Sequence, residues 1–219
     1  HCKVRTTWKD SSFLRNIVWW RFYLIRHWIE TGFLKEGDII SQIDADILIV
    51  NGNEAFIPAE GKSFTYAIDS CNTHCMGAHS IKINDWSKDM LNYLLDDDRF
   101  NKFKNNPFWK LFCEQASWYS LAGIGENMGD VNQPAWDTFP NMGWNSNNEC
   151  DTIYSVDELK KYVQILPVEY NVTVWKTHNP YFRFPTKTGK KEDVVFRHFA
   201  GGGVWNTLDW LNIPLITKK

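Results

Sequence analysis

No stretch of about twenty consecutive apolar residues occurs in this sequence, so nothing in it reads as a membrane-spanning helix. No signal-peptide pattern opens it, although an anchor upstream of the first residue is left open. No basic run exceeds a few residues and the net charge is −2, which argues against a nucleic-acid binder held by phosphate contacts. The five cysteines form no CxxC pair, which argues against a zinc site, and their odd number fits a reducing compartment. There is no internal repeat and no low-complexity tract. What remains is a chain of 219 residues, 43% hydrophobic and 23% charged, able to bury an ordinary core as a single domain over residues 1–219. Aromatic residues are plentiful, with twelve tryptophans. Most should be core; a few suit a sugar or ligand cleft, because flat aromatic faces pack on flat apolar ones.

Residues 11–31 predict a helix with Ser11 or Ser12 at its start and Gly32 at its end. Phe13, Ile17, Trp20, Leu24 and Trp28 recur at helical spacing as its expected apolar face. "EGD" at 36–38 is a turn, followed by an expected strand from Ile39 to Val50. Further strands are expected at 63–69, at 79–84, over "VQILPVEYNVTV", and at 193–203. Helices are expected from Asp85, capped by Asp85 or Ser87, and over 106–124. Residues 125–150, rich in Gly, Asn and Pro, form a long loop in which Trp136 and Trp144 could stack on a sugar ring or pack onto the core. The order of elements predicts an α/β fold, a mixed sheet flanked by helices. The chain opens directly before a helix, so an opening strand–helix unit of roughly 30 to 40 residues is expected upstream.

The expected strand 39–50 carries two acids, Asp44 and Asp46, in an otherwise apolar run. Residues i and i+2 of a strand project to one side, so the two carboxylates should point together, with Ala45 opposite. Carboxylates that close repel unless a cation joins them, and acids are depleted from strand interiors. Ligands bind at the carboxyl ends of strands in open α/β sheets. A hard divalent ion shared with a substrate phosphate is the natural partner. A second apolar strand ends in His198, directly before Gly201, Gly202 and Gly203. Imidazole is a good ligand for ions of the Mn²⁺ type, and glycines let a diphosphate approach the backbone. Taken singly, a strand-end histidine is more often structural, and an Asp-x-Asp is more often a chance turn; it is their conjunction that points to a site. "NVT" at Asn171 is a glycosylation sequon only if the chain is secreted.

Taken in order, "TTWKDSSFLRNI", "IDADILIVN", "GAHSIKINDWSKDMLNYL" with "CEQASWYSL", "ILPVEYNV" and "RHFAGGG" resemble a glycosyltransferase of the GT-A fold. The resemblance is to the galactosyl/xylosyltransferase family, kin to glycogenin-like transferases, and spans about residues 6 to 205. It implies metal-dependent transfer of a hexose or pentose from a UDP-sugar to a glycan or other hydroxyl acceptor, with retention of configuration. It implies Mn²⁺ (or Mg²⁺) held by Asp44, Asp46 and His198, and donor contacts from Asp44, Ala45, Asp46, Gly201 and Gly202. Glu114 and Gln115 match the family's acid–Gln pair near the reacting sugar; read without the resemblance, they are a solvated helix pair. The chain departs from the family in having Cys75 and Met76 before Gly77 where an Asn is usual. Gly203, Val204 and Trp205 stand where relatives often carry a Lys; Lys187, Lys190 or Lys191 could reach in instead. The family works in the Golgi lumen in fungi and plants and in the cytoplasm in bacteria and viruses, so location stays open.

Three alternatives compete. A haloacid-dehalogenase-type phosphohydrolase would want Thr or Val where Leu48 stands, and "GDVNQP" from Gly129 does not complete its later acidic motif. A nucleotidyltransferase would carry a Gly-rich basic signature in an opening strand–loop. A non-catalytic, transferase-like carbohydrate-binding domain would use the aromatic load and need no metal.

Overall fold

The structure, a computed structural model, describes residues 13–45, 47–51, 56–68, 74–98, 118, 121, 153–173 and 194–198. The expected helix over 106–124 is represented by Trp118 and Leu121, both helical and buried. The loop 125–150 with Trp136 and Trp144, the lysines 187, 190 and 191, and the caps Ser11 and Ser12 lie outside the described residues.

Helix α1 spans Phe13–Glu30 and stops where Gly32 takes φ +73°, a left-handed turn that glycine adopts without strain. Its buried face differs from the expected one. Trp19, Phe22 and Ile25 are buried, together with Arg21, whereas Trp20 and Leu24 are exposed. "VWWRFYLI" is apolar almost all the way round, so helical spacing alone admits more than one stripe; the sheet beneath selects it.

The expected strand Ile39–Val50 is two strands. β1 (Ile39–Ile43) and β2 (Ile47–Ile49) are separated by a turn closed by a hydrogen bond from the Ile47 N–H to the Asp44 carbonyl, 3.0 Å. They belong to different sheets. β3 (Phe64–Ile68) and β4 (His74–Lys82) follow, then α2 (Asp85–Leu94), α3 (Val156–Tyr162), β5 (Val163–Leu166), β6 (Val172–Thr173) and β7 (Phe196–His198). The first sheet runs β1-β4-β3-β5, antiparallel except for the parallel β3/β5 pair. The second runs β2-β7-β6, with β2/β7 antiparallel and β6/β7 parallel. The chain is therefore mixed α/β, with a mixed four-stranded sheet and helices, as expected at that level.

Asn84, not Asp85 or Ser87, caps α2. Its side chain accepts from the Ser87 N–H while Ser87 Oγ accepts from the Asn84 N–H, each at 2.9 Å. Helix α3 was not expected, although Ser155 and Glu158 carry the spacing of a helix start. Ser155 Oγ accepts from the Glu158 N–H, acids fill the first turn, and lysines fill the last, matching the helix dipole.

Two apolar clusters flank the strands. The larger joins Trp19, Phe22 and Ile25 of α1 to Phe64, Tyr66 and Ile81 of the first sheet and to Met90, Leu91 and Leu94 of α2. The smaller joins Phe56, Ala67, Ala78, Leu166, Val195 and Phe196. Burial of each large side chain stabilises by about 1.5–3 kcal/mol. β4 spans both clusters, for Met76 packs in the first and Ala78 in the second. Between them the β3/β4 ladder slips. Tyr66 pairs with His79 but the next residue, Ala67, pairs with Cys75, so Met76, Gly77 and Ala78 bulge out of the β3 ladder.

Candidate functional site

The bulge in β4 builds the site. A bulged residue leaves a carbonyl without a ladder partner, and a buried orphan carbonyl is costly. Here the Met76 carbonyl accepts from Arg21 Nη1 at 3.1 Å and pairs with His79 Nδ1 at 2.9 Å. Because a carbonyl only accepts, His79 Nδ1 carries the proton. The His79 ring is fully buried, stacked on Phe22 with centroids 5.1 Å apart. Burial, and then the nearby Arg21 charge, push its pKa down to about 3 against the opposing Met76 hydrogen bond, so the ring is neutral.

On its other side the bulge meets the β1–β2 turn. The Asp44 N–H donates to the Gly77 carbonyl at 2.7 Å, extending the β1/β4 ladder by one residue beyond Ile43. Asp44 thus lies at the carboxyl end of β1. Its Oδ1 accepts from Arg21 Nη1 at 2.8 Å, and its Oδ2 lies 4.0 Å from His198 Nε2. His198 is the last residue of β7, opposite Ile47 of β2, so the turn that moves the chain from one sheet to the other also carries Asp44 beside it. His198 is buried and its Nδ1 pairs with Asn171 Oδ1 at 3.0 Å. An amide oxygen only accepts, so His198 Nδ1 donates, and the other ring nitrogen, Nε2, is the one 4.0 Å from Asp44 Oδ2.

Gly77 makes this convergence possible. A Cβ there would fall 2.8 Å from Asp44 Oδ2 and 2.8 Å from His198 Cε1. The pair therefore occupies the space that a side chain at position 77 would fill. The Gly77 N–H also lies 3.4 Å from Cys75 Sγ, on the residue that stands where the resembled family prefers a different side chain.

Of the residues singled out from sequence, the structure brings Asp44 and His198 together. Ala45 is exposed in the turn beside Asp44. Asp46, Glu114, Gln115, Gly201 and Gly202 lie outside the described residues. Asp44 does not lie within one continuous strand, as expected from sequence: β1 ends at Ile43 and Asp44 begins the turn before β2. Among the described residues no three His, Cys, Asp or Glu side chains gather in a metal-sized group. The carboxylate oxygen and the imidazole nitrogen are donors of the kinds divalent ions take, but at 4.0 Å they stand wider than the roughly 3.0–3.5 Å between adjacent ligands of one ion with bonds of about 2.0–2.2 Å, so the pair would have to draw together around it.

Three residues of the site escaped the sequence reading. Arg21 was hidden because its helix was given a different buried face; an arginine inside an apolar helix was the available signal. Gly77 was noted only for its neighbours. Asn171 was read as a sequon, but it is fully buried and holds His198, so this fold leaves no room for a glycan there.

No protein-family model, no curated protein and no solved structure matches this chain. Among the described residues no helix is long and apolar enough to cross a membrane.

Proposed function

We propose that this chain is a metal-dependent glycosyltransferase of GT-A type, moving a hexose or pentose from a UDP-sugar to a glycan or other hydroxyl acceptor with retention of configuration. One observation carries the reading. Asp44 and His198, from distant parts of the chain, meet over a glycine whose missing side chain makes room for them, with His198 Nε2 4.0 Å from the carboxylate. A carboxylate–imidazole donor set suits Mn²⁺ and tolerates Mg²⁺ less well. Bound there, the ion would offset the negative charge that develops on a departing nucleoside diphosphate.

The protein's own residues divide the remaining work. Asn171 anchors the His198 ring through Nδ1, and Gly77 gives Asp44 and His198 the room to meet. By the resemblance, Asp46 joins the ligand set, Gly201 and Gly202 give the diphosphate backbone contact, and Glu114 and Gln115 orient the donor sugar.

One observation favours a second reading, a non-catalytic carbohydrate-binding domain: Asp44 Oδ1 is already engaged by a buried arginine, as a structural carboxylate would be. Calorimetric titration of UDP, with GDP and CMP as controls, in Mn²⁺ and then in EDTA separates the two. Binding of UDP that requires Mn²⁺, and that Asp44→Ala abolishes while the circular dichroism spectrum is unchanged, is the result expected of the transferase. Glycan binding indifferent to EDTA, with no nucleotide binding, is the result expected of the second reading.

A further inference from the structure

Arg21 is the buried cation of this region, and it joins three separate pieces of chain. It comes from α1, donates to the Asp44 carboxylate in the β1–β2 turn, and donates to the Met76 carbonyl in the β4 bulge, both through Nη1. Its side chain is 6% exposed while that of Asp44 is 32% exposed. The arginine, fixed also by the Met76 carbonyl, is therefore the more buried partner. The carboxylate at the rim takes its orientation from it. With Oδ1 drawn to Arg21, the planar carboxylate has its second oxygen left on the His198 side, above Gly77.

We propose that Arg21 is a positioning residue of the cation-binding pair, fixing the Asp44 carboxylate so that Oδ2 and His198 Nε2 face one another before a divalent ion arrives. This rests on the glycosyltransferase reading of the same site. Outer contacts of this kind, which orient a ligating carboxylate, typically contribute 10- to 100-fold to metal affinity. Arg21 also carries a positive charge, and charge alone works against a cation. The two contributions have opposite signs, so a single substitution distinguishes them. If Arg21 acts only through charge, its removal tightens cation binding. If it positions Asp44, its removal loosens it.

The experiment is a Mn²⁺ titration of the full chain with saturating UDP, followed by electron paramagnetic resonance of the free ion, for wild type, Arg21→Met, Arg21→Lys, Asp44→Asn and Arg21→Met/Asp44→Asn. Thermal melts of each variant are recorded beside it. In Arg21→Met the Met76 carbonyl keeps its contact with His79, and Asp44 can turn to solvent, so a folded variant is expected. The expected result is Mn²⁺ affinity at least 10-fold weaker in Arg21→Met. Lysine, whose ammonium can serve the same two acceptors, should restore it to within about threefold. In the Asp44→Asn background the Met substitution should add little, because the residue it positions is no longer a carboxylate. Unchanged or tighter Mn²⁺ binding in Arg21→Met overturns the positioning role while leaving the transferase reading in place. If wild type itself takes up no Mn²⁺ with UDP, the transferase reading falls, and this proposal falls with it. Should Arg21→Met not fold, Arg21→Gln, uncharged but polar enough for a buried site, carries the same test: Mn²⁺ affinity at least 10-fold weaker than wild type supports positioning, and unchanged or tighter binding overturns it.

Discussion

The Nδ1 of His79 and the carbonyl of Met76 lie 2.9 Å apart, three residues along one strand, and this contact closes the bulge on which the site is built. A charged imidazole could also donate to that carbonyl, but its surroundings are aromatic. Phe22 stacks on one face, Phe64 approaches by its edge, and Arg21 adds a like charge.

The first prediction is a pH dependence of stability. The folded pKa of His79, about 3, lies below the unfolded value near 6.5, so the unfolded chain binds a proton that the folded chain refuses. The contribution is fully present above about pH 6.5 and is lost as pH falls toward 3. Between pH 7 and pH 5 it should cost about 2 kcal/mol. Urea unfolding at the two pH values should show that loss in wild type and a smaller one in His79→Gln, whose amide can still donate to Met76. Equal slopes in the two proteins would count against the neutral, buried ring.

Gly77→Ala should damage the site more than the fold. The new methyl would sit 2.8 Å from an atom of Asp44 and from one of His198, and His198 is buried with little room to yield. Overpacking of this order costs about 1–3 kcal/mol. A melt lowered accordingly, with UDP binding in Mn²⁺ reduced beyond what the melt explains, is expected. Wild-type affinity in a folded Gly77→Ala protein would show that the pair is not where the ion binds.

Asn171→Ala should free the His198 ring. Removing the acceptor takes the partner from a buried N–H donor, at about 1–3 kcal/mol, and releases the ring orientation that places Nε2 on the Asp44 side. Chemical denaturation should report the first effect, and a Mn²⁺ titration with UDP about a 10- to 100-fold loss. An alanine variant as stable as wild type would mean that His198 finds another acceptor.

Asn84→Ala tests the frame away from the site. Asn84 caps α2 in a reciprocal pair with Ser87, and its Nδ2 donates to Ser63 Oγ at 2.7 Å, tying the helix start to the beginning of β3. Loss of such a cap costs about 1–2 kcal/mol. Unfolding should be easier by that amount, with nucleotide binding unaffected.

Local chemistry in the sequence was enough to locate α1, α2 and β3, because helical spacing, turn glycines and β-branched runs act over a few residues. Gly32 and Gly37 mark their turns by positive φ, which few other residues accept. The same local evidence marked Asp44 and His198 as out of place at the ends of apolar strands. It was insufficient where two arrangements satisfy one pattern. "IISQIDADILI" alternates equally well as one strand or as two, and only pairing with β4 on one side and β7 on the other divides it at Asp44. Helix α1 offers more than one apolar stripe, and the sheet decides which is buried, taking Arg21 inward with Trp19 and Phe22. The residue types that suit a cation were thus written in the chain. Which oxygen of Asp44 faces which nitrogen of His198 was decided by contacts between segments remote in sequence, because orientation at a site is set by packing and hydrogen bonds that no local spacing encodes.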